Sequence, residues 1–150
     1  PPASPWMGGL WEAAVKSFKN HLAKITFHRS LTFEEMSTFL ARVEAVLNSR
    51  PLYPATNDPE NDVDFLSPGH FLIGAPLLAA PEVDLAGTPE NHLSRWQLVT
   101  RASQEFWSRW SREYLNTLIQ RKKWNTPRPP LKIGQLVFIA KENTKPLDWP

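Results

Sequence analysis

The distribution of proline is the feature that most constrains what this chain can fold into. Its 150 residues include 15 prolines, which cluster at both ends and in the middle of the sequence. Proline fixes φ and has no backbone N–H, so it limits regular structure wherever it is frequent. Long helices are therefore expected between these clusters. A hydrophobic content of 41%, with seven Trp and eight Phe, allows an aromatic core to form there.

The first stretch predicts two helices that form an antiparallel pair. Residues 9–27 place apolar side chains at helical spacing. This apolar stripe consists of Trp11, Ala14, Val15, Phe18, Leu22 and Ile25. The second helix is predicted to start at Thr32, because Thr32 and Glu35 have the spacing of a capping box, and to end at Arg50-Pro51. Its apolar face consists of Met36, Phe39, Leu40, Val43, Val46 and Leu47.

A third helix is predicted after a long connection. Residues 51–91 are expected to be mostly loop, with one short helical turn at 67–74, because prolines and acids interrupt them. The helix is predicted over 91–121, with Thr88 as its cap and Pro89 at its start. Its apolar stripe consists of Trp96, Val99, Phe106, Trp107, Trp110, Tyr114 and Leu118.

The C-terminal residues predict a linker and the beginning of a small β domain. Residues 125–130 are proline-rich, residues 134–141 predict a strand, and residues 147–150 are expected to begin a second strand. A lone strand cannot satisfy its own edges, so we expect this domain to be truncated. The N-terminal Pro-Pro-Ala-Ser-Pro lacks an initiator Met, and we expect the chain to be a piece of a longer protein.

Composition excludes several classes of protein. The absence of Cys rules out disulfides and thiolate metal sites, and it fits a reducing compartment. No apolar run approaches the roughly 18 residues that a transmembrane helix needs, and the N-terminus lacks the charged region of a signal peptide. We therefore expect a nuclear or cytoplasmic protein that is not secreted and does not interact with membranes.

Charge is segregated along the chain, although the net charge is only +2. Residues 51–94 contain seven acids and no Lys or Arg, whereas residues 95–132 contain nine bases and two acids, a net of +7. Residues 1–30 carry a further +3. Basic clusters interleaved with aromatic residues are typical of nucleic-acid binders. A solvated helix face remains an open explanation for any single cluster.

The start of the first helix carries a possible catalytic motif. Glu12 follows Pro-Trp-Met-Gly-Gly-Leu-Trp at 5–11 and is placed in the first helical turn. On a helical wheel, Lys16 and Lys19 lie within about 40° of Glu12, beside the apolar stripe rather than within it. The helix dipole favours a carboxylate at this position. However, Glu with Lys four residues later is also an ordinary helix-stabilising pair, so spacing alone leaves both interpretations open.

Five sequence elements, in this order, resemble the integrases of BEL/Pao-type LTR retrotransposons. Residues 5–12, with Lys16 and Lys19, are similar to the third acidic motif of the retroviral and retrotransposon integrase catalytic core. The other elements are Leu-Asn-Ser-Arg-Pro-Leu at 47–52, a TP-x-HFLIG-like segment at 66–74, a long basic helix with matches at 94–97 and 106–115, and the start of a small β domain at 134–150.

The resemblance implies a mainly α chain with three parts. These are the C-terminal helices of an RNase H-like α/β integrase core, a long linking helix, and the truncated start of a small SH3-like β domain. The implied segments are core helices at 1–52, an acidic proline-rich connecting loop at 53–90, a long basic aromatic helix at 91–124, and the linker with the truncated β domain at 125–150.

The resemblance also implies roles for individual residues. Glu12 corresponds to the metal-binding glutamate of the three catalytic acids, which hold Mg²⁺ or Mn²⁺ in the complete enzyme. Lys16 and Lys19 correspond to lysines that contact DNA beside the active site. We expect further DNA contacts from the cations Arg109, Arg112, Arg121, Lys122, Lys123 and Lys132. Arg101, Arg109 and Arg112 should project away from the aromatic stripe, because an unpaired guanidinium is costly to bury.

The resemblance places the two catalytic Asp upstream of this sequence. We therefore expect a DNA-binding fragment of a metal-dependent polynucleotidyl transferase that has no activity and no cofactor by itself. In the full-length protein it would act on element ends and target DNA, as a homo-oligomer. The histidines lack ligand spacing and are expected to be surface or packing residues. The alternative is a domesticated, non-catalytic protein-interaction module whose amphipathic helices bind a partner protein.

Overall fold

A computed structural model describes residues 8–54, 65–78, 81–119, 130, 132, 137 and 144–149. These residues are mainly α-helical, as the sequence predicts. They contain four α-helices and a single two-stranded antiparallel ladder. None of the described helices combines the length and the apolarity that crossing a bilayer requires.

The first two helices lie close to their predicted positions. Helix α1 spans Gly9–Thr26 and helix α2 spans Phe33–Asn48. The predicted capping box is confirmed: the Thr32 hydroxyl accepts a hydrogen bond from the Glu35 backbone N–H, and the Glu35 carboxylate accepts one from the Thr32 N–H. Such a cap contributes about 1 kcal/mol and fixes where α2 begins.

The connection after α2 contains more regular structure than its prolines indicate. Strands β1 (Tyr53–Pro54) and β2 (Phe65–Leu66) pair as a short antiparallel ladder. Helix α3 spans Pro68–Ile73 and confirms the predicted helical turn. It ends at Gly74, whose φ of 73° is left-handed and whose N–H donates to the carbonyl of His70. Glycine adopts this conformation without steric cost.

The long helix α4 spans Arg95–Leu118 and starts later than predicted. Ser94, not Thr88, is its cap: the Ser94 hydroxyl accepts from the Gln97 N–H, and the Gln97 side chain accepts from the Ser94 N–H. This reciprocal pair satisfies two otherwise free backbone donors. The residues predicted as the first turn form a separate 3-10 turn at Glu90–His92 instead.

The end of α4 also differs from the sequence prediction. Ile119 adopts an extended conformation with ψ of 111°. The helix therefore stops before residue 121, where its aromatic and basic pattern had placed the end.

Helix α4 is the centre of the core and not a separate rod. Helices α1 and α2 pack chiefly on α4 rather than on each other as the predicted pair. The buried core consists of Ile25, Phe39, Val43, Val46, Val99, Ala102, Phe106, Trp107 and Trp110. Trp96 was predicted to belong to the buried stripe but is 60% exposed. It lies in the first turn of α4, before the first core residue of that helix.

Helices α2 and α4 run in the same direction. Near their first turns, Arg95 pairs with Glu35. Near their ends, the Tyr114 hydroxyl donates to the carbonyl of Pro51 over 2.6 Å. This parallel arrangement requires the connection between them to return along the bundle, and Glu82 and Glu90 of that connection lie at the end where α4 begins.

The C-terminal residues pack back onto the helices. The Trp149 indole N–H donates to the Ser49 hydroxyl over 3.0 Å, and the Trp107 indole N–H donates to the carbonyl of Thr144 over 2.9 Å. The Trp149 ring makes edge-to-face contacts with Trp107, Trp110 and Tyr114. Edge-to-face packing of this kind stabilises aromatic clusters, so this segment belongs to the same core as α4.

The predicted second strand at 147–150 is wrong for its described part. The Asp148 N–H donates to the carbonyl of Lys145, which closes a turn, and Leu147 has a positive φ of 69°. A positive φ is uncommon for a residue other than glycine and is incompatible with a strand. The predicted strand at 134–141 and the proline linker lie largely outside the described residues.

Candidate nucleic-acid interface

The three motif residues of α1 lie at the protein surface. Glu12 is in the first turn, as predicted, and it is exposed. Lys16 and Lys19 are also exposed. Because α1 is continuous through all three positions, they share the outward side of the helix. The placement of Glu12 is thereby confirmed, whereas its role as a metal ligand stays a prediction.

The surroundings of Glu12 do not complete a metal site. In the part of the chain that the structure describes, no group of three or more His, Asp or Glu side chains is placed to hold a metal ion. A hard divalent cation is held by several oxygen ligands, and one exposed carboxylate does not supply them. We therefore derive no step of catalysis from these residues.

Arg109 and Arg112 lie on the side of α4 that faces away from its aromatic core. Both side chains are exposed, as predicted. They border an open depression of about 590 Å³ near the end of the helix. Its lining consists of Arg109, Arg112, Glu113, Asn116, Thr117 and Ile119. The guanidinium, amide and hydroxyl groups of this lining can donate hydrogen bonds to an anionic oxygen, whereas the Glu113 carboxylate cannot.

Contacts between α1 and α4 show that the two helices are antiparallel. Glu113 accepts hydrogen bonds from Ser17 and His21, over 3.3 Å and 2.7 Å. Arg29, three residues after the end of α1, binds Glu105 over 2.8 Å. Moving forward along α1 therefore means moving backward along α4. This alignment determines which cations of the two helices face the same side.

Lys16 and Arg112 flank the groove between α1 and α4 on one side. Lys16 directly precedes Ser17, and Arg112 directly precedes Glu113. Each cation is therefore rotated by about 100° around its helix axis from the residue that makes the contact, and in both helices the rotation is toward the N-terminus. When two antiparallel helices meet at such a contact, the residues that directly precede the two contact residues lie on the same side of the groove. Lys19 lies one turn after Lys16 on α1, and Arg109 lies one turn before Arg112 on α4. We use the name basic face for these four exposed cations together, Lys16, Lys19, Arg109 and Arg112.

Toward the other end of α4, four arginines are paired with carboxylates. The Arg29 side chain is 6% exposed and binds both Glu90 and Glu105. Burial lowers the pKa of Arg29, but hydrogen bonds to Glu105 and Glu90 outweigh this and raise it above its ordinary value. Burial raises the pKa of Glu105, but Arg29 and Arg101 outweigh it and hold that pKa below its ordinary value.

Two further ion pairs neutralise this end. Arg95 binds Glu35, and this hydrogen bond lowers the pKa of Glu35. Arg42 on α2 binds Glu82 over 2.7 Å and lies over the ring of Trp96. We call Arg29, Arg42, Arg95 and Arg101 the paired arginines.

The position of Arg101 corrects one prediction. Its side chain was expected to project into solvent with Arg109 and Arg112. Instead it is 17% exposed, binds Glu105 and donates to the carbonyl of Thr88. The free energy cost of burying this guanidinium is offset because both of its partners are acceptors that need a donor.

Among the described residues, the basic face differs from the paired arginines in lacking carboxylate partners. Within residues 8–54, 65–78 and 81–119, no ion pair involves any of its four cations. The predicted DNA-binding residues Arg121, Lys122 and Lys123 lie outside the described residues. Lys132 is described and exposed, and its predicted role in DNA binding stays a prediction.

Sequence reasoning missed the residues that hold the groove together. The sequence predicts His21 as a surface or packing histidine and indicates no role for Ser17. His21 is only 6% exposed, contacts the ring of Phe106 and binds Glu113. Its position three residues after Phe18 was the available signal, because that spacing places it on the edge of the apolar stripe.

Comparison with known proteins identifies one related sequence family. Residues 94–150 match the family described as "Family of unknown function (DUF5641)". The match begins at Ser94, the cap of α4, and includes the C-terminal segment whose Trp149 packs against that helix. No curated protein matches the chain. No solved structure matches it.

Proposed function

We propose that the chain is the C-terminal part of a BEL/Pao-type retrotransposon integrase, and that its basic face binds the phosphate backbone of DNA. The resemblance supports the RNase H-like origin of α1 and α2. One observation carries the DNA-binding role: the four cations of the basic face are exposed and have no ion-pair partner in the described structure, whereas the paired arginines all do.

The chemistry of the basic face favours phosphate over base recognition. Arginine and lysine contacts to phosphates position a protein on DNA but read no sequence. Arginine offers a planar set of donors that matches phosphate oxygens, and lysine adds a mobile point charge. The depression beside Arg109 and Arg112 is open, so an extended backbone can lie across it. We therefore expect binding that is independent of DNA sequence.

The test is the affinity of the chain for duplex DNA over a series of salt concentrations. Each neutralised phosphate contributes about −0.9 to the slope of log affinity against log salt. With one phosphate for each of the four cations, the expected slope is near −4. An affinity that does not change with salt would overturn the proposed function.

The integrase origin has a separate test. In the complete integrase, we expect Glu12→Gln to abolish strand transfer with either magnesium or manganese, because a carboxamide carries no charge to hold the metal. DNA binding should persist in this variant, since the basic face is intact. The chain alone should show no strand transfer. Retained activity in Glu12→Gln would contradict the assignment of Glu12.

One observation favours protein interaction as a second function. Phe71, Leu72 and Ile73 on α3 are 75%, 66% and 63% exposed. Contiguous exposed apolar residues favour association. We expect the chain to self-associate and the triple replacement by Ser to reduce its sedimentation coefficient. An unchanged monomer in both proteins would remove this second candidate.

A further inference from the structure

We propose that His21 and Ser17 are positioning residues that hold the Glu113 carboxylate away from Arg109 and Arg112, so that both guanidiniums stay available for phosphate. This inference rests on the proposed DNA-binding function and adds a residue-level account of why the site remains cationic. It assigns a role to the groove between α1 and α4 rather than to α4 alone.

Glu113 lies where it could neutralise the site. It lines the same depression as Arg109 and Arg112. Arg109 precedes it by four residues on α4, a spacing at which side chains of opposite charge meet on a helix surface. The Glu113 side chain is 56% exposed, so it has room to rotate. Without another partner, this carboxylate would therefore compete with phosphate for Arg109.

Helix α1 gives Glu113 that other partner. The Ser17 hydroxyl donates to its Oε1 over 3.3 Å, and the His21 Nε2–H donates to its Oε2 over 2.7 Å. Both carboxylate oxygens are thereby turned toward α1. The shorter bond comes from His21, whose ring is fixed by an edge-to-face contact with Phe106.

The environment of His21 suggests that packing alone does not explain this residue. Its Nδ1 is buried and has no hydrogen-bond partner among the described residues. A buried polar atom without a partner costs free energy, and a phenylalanine would fill the same space without that atom. The imidazole is instead suited to the bond with Glu113, which an apolar side chain cannot make.

The experiment measures DNA affinity and its salt slope for His21→Phe, alone and combined with Glu113→Gln. We expect His21→Phe to weaken binding and to flatten the slope by about 1, because the released carboxylate occupies about one phosphate site. Adding Glu113→Gln should restore both quantities, because a carboxamide does not neutralise a guanidinium. His92→Phe, at an exposed position, is the matched control and should change neither.

Ser17→Ala is a milder second variant in case His21→Phe perturbs folding. We expect Ser17→Ala to weaken DNA binding and to flatten the salt slope less than His21→Phe does. The control Ser108→Ala, on the exposed side of α4, should have no effect. In the absence of DNA, the Arg109 Nε–H resonance should shift in His21→Phe and return in the double variant. This readout reports the carboxylate position directly and does not depend on DNA binding.

The outcomes separate this inference from the proposed function. If His21→Phe leaves the slope and the Arg109 resonance unchanged, or if Glu113→Gln fails to restore binding, the positioning role is overturned while DNA binding by the basic face stands. If the unmodified chain binds DNA without salt dependence, the proposed function fails. The availability of Arg109 to phosphate fails with it, even if the resonance shifts as expected.

Discussion

Arginines that lie near the two ends of α4 differ in whether a carboxylate binds them. At its start, the paired arginines are bound to Glu35, Glu82, Glu90 and Glu105. Toward its end, Arg109 and Arg112 are exposed, and the neighbouring Glu113 is bound by α1 instead. The charge of a segment therefore does not measure its capacity to bind an anion; that capacity depends on which cations the fold leaves without carboxylates.

The acidic connection accounts for part of this difference. In the sequence, its net charge of −7 over residues 51–94 is separated from the basic segments on either side. In the folded chain, two of its acids bind cations of other segments: Glu82 binds Arg42, and Glu90 binds Arg29. Through Glu82 and Glu90 the connection neutralises cations at the end where α4 begins, whereas no ion pair among the described residues joins it to the basic face.

The largest expected effect concerns Arg29. Arg29→Met leaves Glu90 and Glu105 without their shared cation. The Arg29 side chain is 6% exposed, whereas Glu90 and Glu105 are 43% and 28% exposed and Glu105 keeps Arg101, so the loss should lower the free energy of unfolding by about 2 kcal/mol. Arg109→Met, the matched control at an exposed position with no ion pair among the described residues, should change it by less than about 0.5 kcal/mol. Urea denaturation measures both, and equal losses would contradict the distinction between the two sets.

Acid should destabilise the protein through the same network. The pKa of Glu105 is held below its ordinary value in the folded state. Its ionised form therefore stabilises the fold above the unfolded pKa of about 4.3, and this contribution is lost as pH falls through the lower, folded pKa. Unfolding free energies measured from pH 7 to pH values below 4 should show the loss, and Arg29→Met should reduce it. A loss of equal size in both proteins would contradict the assignment.

A smaller effect is expected for Arg42. Its pair with Glu82 is only partly buried, and such pairs contribute about 1 kcal/mol or less. Arg42→Ala should therefore lower stability slightly, with part of the loss due to the stacking on Trp96. DNA affinity should stay the same, because Arg42 is occupied. Weaker DNA binding in the folded variant would show that Arg42 contributes to the DNA-binding surface.

Local sequence signals predicted the helices well and tertiary contacts poorly. The apolar spacing of α1 and the capping box at Thr32 act within a few residues, so the sequence was sufficient to place them. The start of α4 was missed, although Ser94 and Gln97 carry the same capping pattern, because Thr88 and Pro89 also form a plausible start. The sequence contained two possible helix starts, and helix propensity alone did not decide between them.

The sequence pattern could not predict contacts between residues that are far apart in the chain. The packing of Trp149 on Trp107 joins residues 42 positions apart, and nothing in a strand-like run indicated a turn at Leu147. For the site, the sequence identified Lys16, Lys19, Arg109 and Arg112 as cations. It could not show that other arginines, such as Arg101, are paired, since their partners come from other elements.

The most direct test compares two double variants that remove the same charge from opposite ends of the molecule. Arg109→Ala with Arg112→Ala should weaken DNA binding and flatten the salt slope by about 2, one phosphate for each guanidinium. Arg42→Ala with Arg95→Ala should leave the slope unchanged in the folded protein, because both arginines are already paired. Equal flattening by the two variants, or none with Arg109→Ala and Arg112→Ala, would contradict the account.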